Sequence, residues 1–284
     1  MSFLTVARDD FTNARRSYAV LGVVGVLTGI VALIFVSEIG VYDDPFRTLF
    51  DVSFFLFLVF PIVLAPLTYL AIAGDRDGGA IKYAMGLPNS RAEYVFGKLV
   101  SRLGVTLAAV VLAVGVGFLV ALATFTNPPD VLMFATFAFV SLLFAFAFVG
   151  IYVGISAVTA SRSRAMLGVF GAYFVLVPFW FGFLPVISLT ELLGTAADLL
   201  GANLSQNTVQ FVQALSPATA YLYSTEIVYQ SVLPSPTYQG MTATFTDVPD
   251  EIYREFWFNA LVMLAWGAGS MLVGYLSFRR SELG

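Results

Sequence analysis

The chain contains six apolar runs, each close to the length of about 20 residues that an α-helix needs to cross a lipid bilayer. Runs of this kind predict membrane-spanning helices. They cover Tyr18 to Ser37, Ser53 to Ala73, Leu99 to Ala123, Val131 to Thr159, Met166 to Ser188 and Trp257 to Ser277. We therefore expect an all-α membrane protein with six transmembrane helices, in which residues 1–284 form a single domain.

The amino-acid composition agrees with this expectation. Of the 284 residues, 59% are hydrophobic and 11% are charged, whereas soluble domains have about 45–50% apolar and about 25% charged residues. A chain this apolar is not a disordered protein either, because disorder requires too little apolar surface to offset the entropy of folding. Lipid is therefore the expected solvent.

Cysteine and histidine are both absent. Their absence excludes disulfide frameworks, iron–sulfur clusters, the usual zinc sites, and Ser-His or Cys-His catalytic pairs. The phosphate-binding pattern G-x-x-x-x-G-K-[ST] fails as well, since Gly97-Lys98 is followed by Leu99. We predict no catalytic residue, metal or cofactor on this chain, and no nucleic-acid partner.

The distribution of charge predicts the orientation in the membrane. If both termini are cytoplasmic, the inner segments hold 12 of the 14 basic residues and only Arg47 and Arg254 lie outside. The net charge is then +6 inside and −10 outside, as the positive-inside rule requires. The sequence thus predicts a multi-pass protein of the plasma membrane with cytoplasmic termini.

The predicted spans lack the charged groups that drive ion-coupled transport. Arg102 is their only ionisable Asp, Glu, Lys or Arg, and it lies at the cytoplasmic mouth of the third span. Secondary transporters place such groups at membrane depth, where the driving ion binds. Energy for uphill transport would therefore come from a separate ATPase subunit.

Residues 2–16 are expected to form an amphipathic helix at the membrane interface, with a frayed tail as the alternative. The apolar side chains recur at helical spacing, at Phe3, Ala7, Phe11 and Ala14. The polar side chains fall largely on other faces, at Arg8, Asp10, Asn13 and Arg15.

Residues 74–98 form the longest cytoplasmic loop. Its first part, Asp75 to Gly79, reads as a charged, flexible turn, and Ala80 to Leu87 can form two helical turns. Pro88 then disfavours helix at the preceding residue. Ser90 and Glu93 have the spacing of a capping box, which predicts that a new helix begins there and enters the membrane.

This loop resembles that of the permeases of type-2 ABC transporters, which reads roughly E-R-E-x-G-T-L-x-x-L-L-x-x-P-[VI]-S-R and is followed by G-K. Ala80 and Asn89 depart from this pattern. The matching residues are Asp75, Arg76, Asp77, Gly79, Ile81, Leu87, Pro88, Ser90, Arg91, Gly97 and Lys98.

The resemblance implies two kinds of partner. Two permeases pair, as identical copies or paralogues, and two ATPase subunits that bind ATP and Mg²⁺ dock on the cytoplasmic side. It also implies an ATPase-coupling loop, whereas a solvated connection is the alternative. The loop residues are Asp75, Arg76, Asp77, Gly79, Ile81, Leu87, Pro88, Ser90, Arg91 and Glu93.

Two pairs of glycines have the spacing that lets helices approach closely. Gly25 and Gly29 lie in the first predicted span, and Gly150 and Gly154 in the fourth. Packing within one chain and a dimer face both explain such pairs.

Residues 189–255 form an extracellular or interfacial segment before the last span. Within it, Thr208 to Val232 is too polar for a seventh span, and Tyr221, Tyr223 and Tyr229 suit the membrane interface. The strongly acidic outer surface suits a high-salt habitat, where salt screens repulsion between carboxylates. We expect a halophilic archaeon as the source, with a low-salt organism that has acidic loops as the alternative.

These observations, together with the resemblance, favour the membrane subunit of an ATP-driven exporter whose substrate the sequence does not name. Two other functions fit the same spans. One is a membrane anchor or signal transmitter that binds the same kind of ATPase without transporting anything. The other is a carrier that works without ATP.

Overall fold

The computed structural model describes residues 3–14, 16–86, 90–182, 188–201, 204–229 and 251–281. Within these ranges the chain is helical between short connections and forms no β-sheet. The first helices are α1 (Phe3–Ala14), α2 (Tyr18–Ser37), α3 (Phe46–Thr68), α4 (Ala73–Asp77), α5 (Ala80–Gly86) and α6 (Arg91–Thr124). Further along lie α7 (Val131–Val158), α8 (Arg162–Phe174), α9 (Leu189–Leu199), α10 (Gln206–Ala214), α11 (Pro217–Tyr229), a 3-10 turn (Ile252–Arg254) and α12 (Phe256–Arg280).

Five helical stretches of the described chain are long and apolar enough to cross a membrane. They are α2, α3 together with α4 (Phe46–Asp77), α6, α7 and α12. The fifth predicted span, Met166 to Ser188, is not among them. There, α8 continues into a π-helical segment, Val175–Phe179, which contains Pro178. Proline cannot donate a backbone hydrogen bond, so the regular helix is interrupted at this point. Residues 183–187 of that predicted span lie outside the described chain.

Side-chain caps explain where several helices begin. The Ser17 hydroxyl accepts from the Ala19 amide at the start of α2, and the Asp130 carboxylate accepts from the Leu132 and Met133 amides at the start of α7. Each cap satisfies amides that have no partner within the helix. The predicted capping box is confirmed at α6, where Ser90 and Glu93 each accept from the other's backbone amide.

Helix α7 lies at the centre of the bundle and packs most extensively against α12. Gly154 makes this close approach possible, since a Cβ atom there would lie 2.5 Å from the carbonyl oxygen of Ser270. A Cβ on Gly150 would likewise overlap the backbone of Gly267. This second glycine pair therefore packs within one chain. Gly25 and Gly29 differ, because a Cβ there would meet nothing within 4 Å.

Helix α1 lies along α6, and its orientation differs from the expected one. Ala7, Asp10 and Ala14 are buried, whereas Phe3 and Phe11 are 43% and 38% exposed. The sequence predicted Asp10 on a polar face of the helix. Spacing alone could not show that Asp10 has charged partners inside the protein. The two helices touch at Gly97, where a Cβ would come within 2.7 Å of the Val6 side chain.

Helices α10 and α11 form a hairpin that enters the bundle and returns to the same end. At its turn, Leu215 accepts a 2.8 Å hydrogen bond from the indole of Trp266, which lies ten residues, or about 15 Å, into α12. At its open end, Asn207 contacts Glu251 at 2.9 Å. The hairpin therefore reaches well into the bundle from the end at which α12 begins.

The hairpin corrects the prediction for Tyr221, which is buried inside the bundle. Tyr223 is also buried, but it packs against Tyr253 and Arg254 just before α12 begins, and the side chain of Tyr229 lies outside the described part of the chain. The Tyr221 ring stacks on Phe144 in the middle of α7, with centroids 4.4 Å apart. Helix α11, of 13 residues, is shorter than a membrane span. Polar side chains near α11 form hydrogen bonds with other groups of the protein and therefore need not face lipid. For example, the side-chain amide of Gln213 donates to the hydroxyl of Thr190 at 3.1 Å.

Candidate functional site

The residues of the 74–98 loop gather where several helices end together, opposite the open end of the α10–α11 hairpin. We call this region the charged end of the bundle. It comprises α1, α4, α5, the first turns of α6 and α8, and the last turns of α7 and α12. Contacts described below join all of these elements.

An ion-pair network joins α1, α4 and α6. The ammonium group of Lys98 lies 2.7 Å from the Asp10 carboxylate and 2.8 Å from the Asp75 carboxylate. Arg102 lies 3.2 Å from the other oxygen of Asp10, and Tyr94 donates a 2.5 Å hydrogen bond to Asp75. The side chains of Asp10 and Lys98 are only 8% and 12% exposed. Because water screens such pairs poorly, this network holds three helices in one arrangement.

Arg76 and Arg91 bind the carboxyl ends of two long helices. The guanidinium of Arg76 donates to the carbonyl oxygens of Ala157 and Thr159 at the end of α7, both at 3.3 Å. That of Arg91 lies 2.7–3.0 Å from three carbonyl oxygens at the end of α12. The final carbonyl groups of a helix have no partners within it and carry partial negative charge, so a cation there is favourable.

Phe278, near the end of α12, lies between these groups and is fully buried. Tyr94 stacks on its ring with centroids 5.9 Å apart. The guanidinium carbons of Arg76 and Arg91 lie 5.8 and 6.0 Å from the ring centroid, which is within the range of cation–π attraction. Phe278 thus joins the loop to the last helix by packing as well as by hydrogen bonds.

Ser156 of α7 stabilises the break between α3 and α4. Its hydroxyl accepts from the amides of Ile72 and Ala73 at 3.0 and 2.9 Å and donates to the carbonyl of Tyr69 at 2.8 Å. These backbone groups have no helical partners at the break, and the hydroxyl replaces them inside the core. The first part of the loop is consequently the helix α4, not a flexible turn.

The other residues of the loop lie nearer the surface. Asp77 pairs with Arg162 of α8 at 3.2 Å, and Gly79 ends α4 with a φ of +75°. Ile81 anchors α5, being only 3% exposed. The predicted helix at Ala80 to Leu87 is confirmed as far as Gly86, whereas Leu87 and Pro88 lie outside the described residues.

One face of α5 remains free of the bundle. Lys82 and Gly86 are exposed on it, and Tyr83 is 84% exposed. By contrast, the side chains of Asp75, Arg76 and Asp77 bind groups of the same chain.

Six residues of the charged end were not identified as members of the site by the sequence analysis: Asp10, Tyr94, Arg102, Ser156, Arg162 and Phe278. A partial signal exists for two of them, since Tyr94, Lys98 and Arg102 are four residues apart and share a helix face. No comparable signal marks Ser156, whose partners are more than 80 residues away in sequence.

The charged end holds side chains of several helices together. Asp10, Asp75 and Asp77 are each paired with a cation. No group of three or more acidic side chains in the described chain is placed to hold a metal ion.

A family model described as ABC-2 family transporter protein matches residues 4–283. The chain belongs to the ABC-2 transporter family. It is therefore a multi-pass membrane subunit of an ABC transporter, and membership implies an ATPase partner. Among curated proteins, none matches the chain significantly.

Proposed function

We propose that this ABC-2 protein forms the translocation path of an ATP-driven exporter in the plasma membrane. A separate ATPase subunit binds ATP and Mg²⁺ and docks on α4 and α5, and a second permease, identical or paralogous, completes the path. The chain has six spans and cytoplasmic termini in this proposal, with the stretch from Met166 to Ser188 as the fifth span. The acidic outer loops support a halophilic archaeon as its source.

The observation that carries the proposal is the position of α5. This short helix is anchored by Ile81 on one side and presents Lys82 and Tyr83 on the other. Tyrosine is among the residue types enriched at protein–protein contacts, and Tyr83 is 84% exposed. Helix α5 thus offers a surface on which a soluble subunit can push.

The contacts of α4, the helix that precedes α5, connect the docking surface to the spans. Asp75, Arg76 and Asp77 of α4 bind groups on α6, α7 and α8, in that order. A displacement of α4 therefore acts on three helices at once. Arg91 extends the connection to α12 through its contacts with the end of that helix. Coupling to ATP hydrolysis requires such contiguous contacts between the docking surface and the spans.

The docking surface can be tested with a double variant, Lys82→Glu with Tyr83→Ala. We expect the tagged variant to insert normally but to lose its co-purifying ATPase subunit. Tyr18→Ala is the matched control, since Tyr18 is another tyrosine near the charged end and is 92% exposed. Retention of the ATPase by the double variant would contradict docking on α5. An ATPase that co-purifies but drives no vectorial flux would favour the anchor or signal transmitter.

The proposed topology has its own test, helped by the absence of cysteine from the chain. The variants Tyr83→Cys and Leu199→Cys, each at an exposed position, can be labelled in intact cells with a membrane-impermeant maleimide. We expect labelling at position 199 and none at position 83 until the cells are opened. The reverse pattern would overturn the cytoplasmic placement of the loop.

A further inference from the structure

A cavity of about 760 Å³ lies on the side of the bundle between α8 and α12. Its floor is formed by α7, and its walls include Gly171, Val175, Trp266 and Gly269. Nearly all of its lining is apolar. It is open on one side, so in a bilayer it faces the acyl chains unless another helix covers it.

Two glycines keep this cleft open. A Cβ on Gly171 or on Gly269 would meet nothing within 4 Å, so neither glycine is needed for contact between helices of this chain. A larger side chain at either position would instead occupy the cleft. Trp266, unlike these glycines, is fixed by a contact within the chain. Its indole donates a 2.8 Å hydrogen bond to the carbonyl of Leu215.

Two arginines mark the end of the cleft that adjoins the charged end. Arg164 precedes Gly171 by seven residues on α8, and Arg280 follows Val273 by seven residues on α12. Since seven residues are almost two full turns, each arginine lies on the helix face that lines the cleft, about 10 Å further along. Both are exposed, and no ion pair to either is present in the part of the chain that the structure describes.

We propose that this cleft is a binding site for one anionic membrane phospholipid. An acyl chain fills the apolar cavity between α8 and α12, and the phosphate group lies at Arg164 and Arg280. Basic residues between spans at the cytoplasmic surface attract anionic headgroups, while the apolar wall selects for a lipid rather than a free phosphate ion. The charge complementarity favours this occupant over a helix of a second copy, which would bring no matching negative charge by its apolar face.

This site does not depend on transport or on an ATPase. Its headgroup end lies in the cytoplasmic leaflet under the proposed topology, but binding itself can be measured in symmetric vesicles. The proposal can therefore fail while the proposed function stands, and the reverse also holds.

Trp266 provides a direct probe of the cleft. The chain has three tryptophans, and replacing Trp180 and Trp257 by phenylalanine leaves Trp266 as the only one. This variant is reconstituted in vesicles of zwitterionic phosphatidylcholine that contain increasing fractions of phosphatidylglycerol with brominated chains. Bromine quenches tryptophan fluorescence at short range, so quenching reports an acyl chain in the cleft.

We expect the anionic lipid to be preferred on the order of tenfold over bulk lipid, so that quenching is half-maximal near a mole fraction of about one tenth. Brominated phosphatidylcholine should need a fraction close to one half. Substituting Arg164→Gln and Arg280→Gln should remove the difference, whereas Arg8→Gln with Arg16→Gln should retain it. The control pair removes the same charge from exposed positions near the same end.

Filling the cleft gives an independent measurement. Gly171→Leu or Gly269→Leu should reduce quenching by either brominated lipid, whereas Gly25→Leu, at an equally open glycine on α2, should leave it unchanged. Equal quenching by the two lipids in the parent variant would overturn the proposal. The proposal would also fail if Gly171→Leu left the quenching unchanged. It would fail, too, if neither lipid quenched Trp266, since a protein partner would then cover the cleft.

Discussion

Asp10 and Lys98 form a 2.7 Å ion pair that is almost completely withdrawn from solvent, although 88 residues separate them in sequence. The pair attaches the first helix to the third long one. It also explains why α1 turns the Asp10 carboxylate toward the bundle.

Removing the Asp10 carboxylate should destabilise the protein substantially. In Asp10→Ala, Lys98 keeps only Asp75 and Arg102 loses the carboxylate it pairs with, so two cations are left less compensated in a buried site. We expect a loss of about 3 kcal/mol, which is typical of a broken buried ion pair. Thermal unfolding in detergent measures the change. Asp9→Ala is the control, because Asp9 is exposed; equal shifts for the two variants would refute a structural role for the pair.

The hydroxyl of Ser156 should protect the start of α4. Ser156→Ala leaves the amides of Ile72 and Ala73 without a partner in the core, at a cost of about 1–3 kcal/mol for each buried group. Hydrogen–deuterium exchange should therefore accelerate in residues 69–77 and little elsewhere. Ser141→Ala serves for comparison, since Ser141 is equally buried on α7 but has one long contact of 3.3 Å to Tyr221. Unchanged exchange at 69–77 in Ser156→Ala would exclude this role.

The glycine contact between α7 and α12 should tolerate no side chain. Gly154→Val places its Cβ against the backbone of Ser270, so the helices must separate. Overpacking of this kind costs about 1–3 kcal/mol or more, and the yield of folded protein should fall accordingly in size-exclusion chromatography. Gly25→Val should behave like wild type as a monomer, because its Cβ meets nothing within 4 Å. A normal yield of Gly154→Val would show that the contact is looser than described.

Stability should also depend on the protonation of Glu38, which follows α2. Partial burial raises the pKa of this carboxyl from 4.5 to about 7, and the nearby Asp51 carboxylate adds to the increase. The folded protein thus binds this proton more tightly than the unfolded chain does. The contribution of Glu38 to stability therefore falls as the pH rises from about 4.5 to about 7, and changes little outside that window.

Comparing Glu38→Gln with wild type isolates this contribution. The variant cannot ionise at position 38, so its unfolding temperature should exceed that of wild type at pH 8 and approach it at pH 5. Asp43→Asn, at an exposed carboxylate in the same connection between α2 and α3, controls for the general loss of negative charge. A difference between Glu38→Gln and wild type that is the same at both pH values would contradict the raised pKa.

Local features of the structure were predictable from the sequence, since their physical causes lie within a few residues. The capping box of Ser90 and Glu93 and the two helical turns after Ala80 depend on neighbouring side chains alone. The close approach at Gly150 and Gly154 was predictable as well, although spacing could not decide whether the partner helix belongs to the same chain.

The remaining features depend on contacts between distant parts of the chain. Nothing in the sequence distinguishes Asp10 from the exposed Asp9, because the cations that pair with Asp10 lie on the distant helix α6. The hairpin of α10 and α11 is too polar to face lipid, but its polar groups can be buried inside the protein. Hydropathy alone does not distinguish a lipid environment from the protein interior. The interruption at Pro178 had a local signal in the proline itself, yet the π-helical form of the interruption did not follow from it.

The backbone contact between α7 and α12 bears on how this transporter changes shape. Helices that meet through layers of side chains can slide as rotamers adjust, but Gly150 and Gly154 leave no such layer between these two backbones. We therefore expect the two helices to move together as one rigid unit. An alternation between open and closed states would then take place by movement of the other spans relative to this pair.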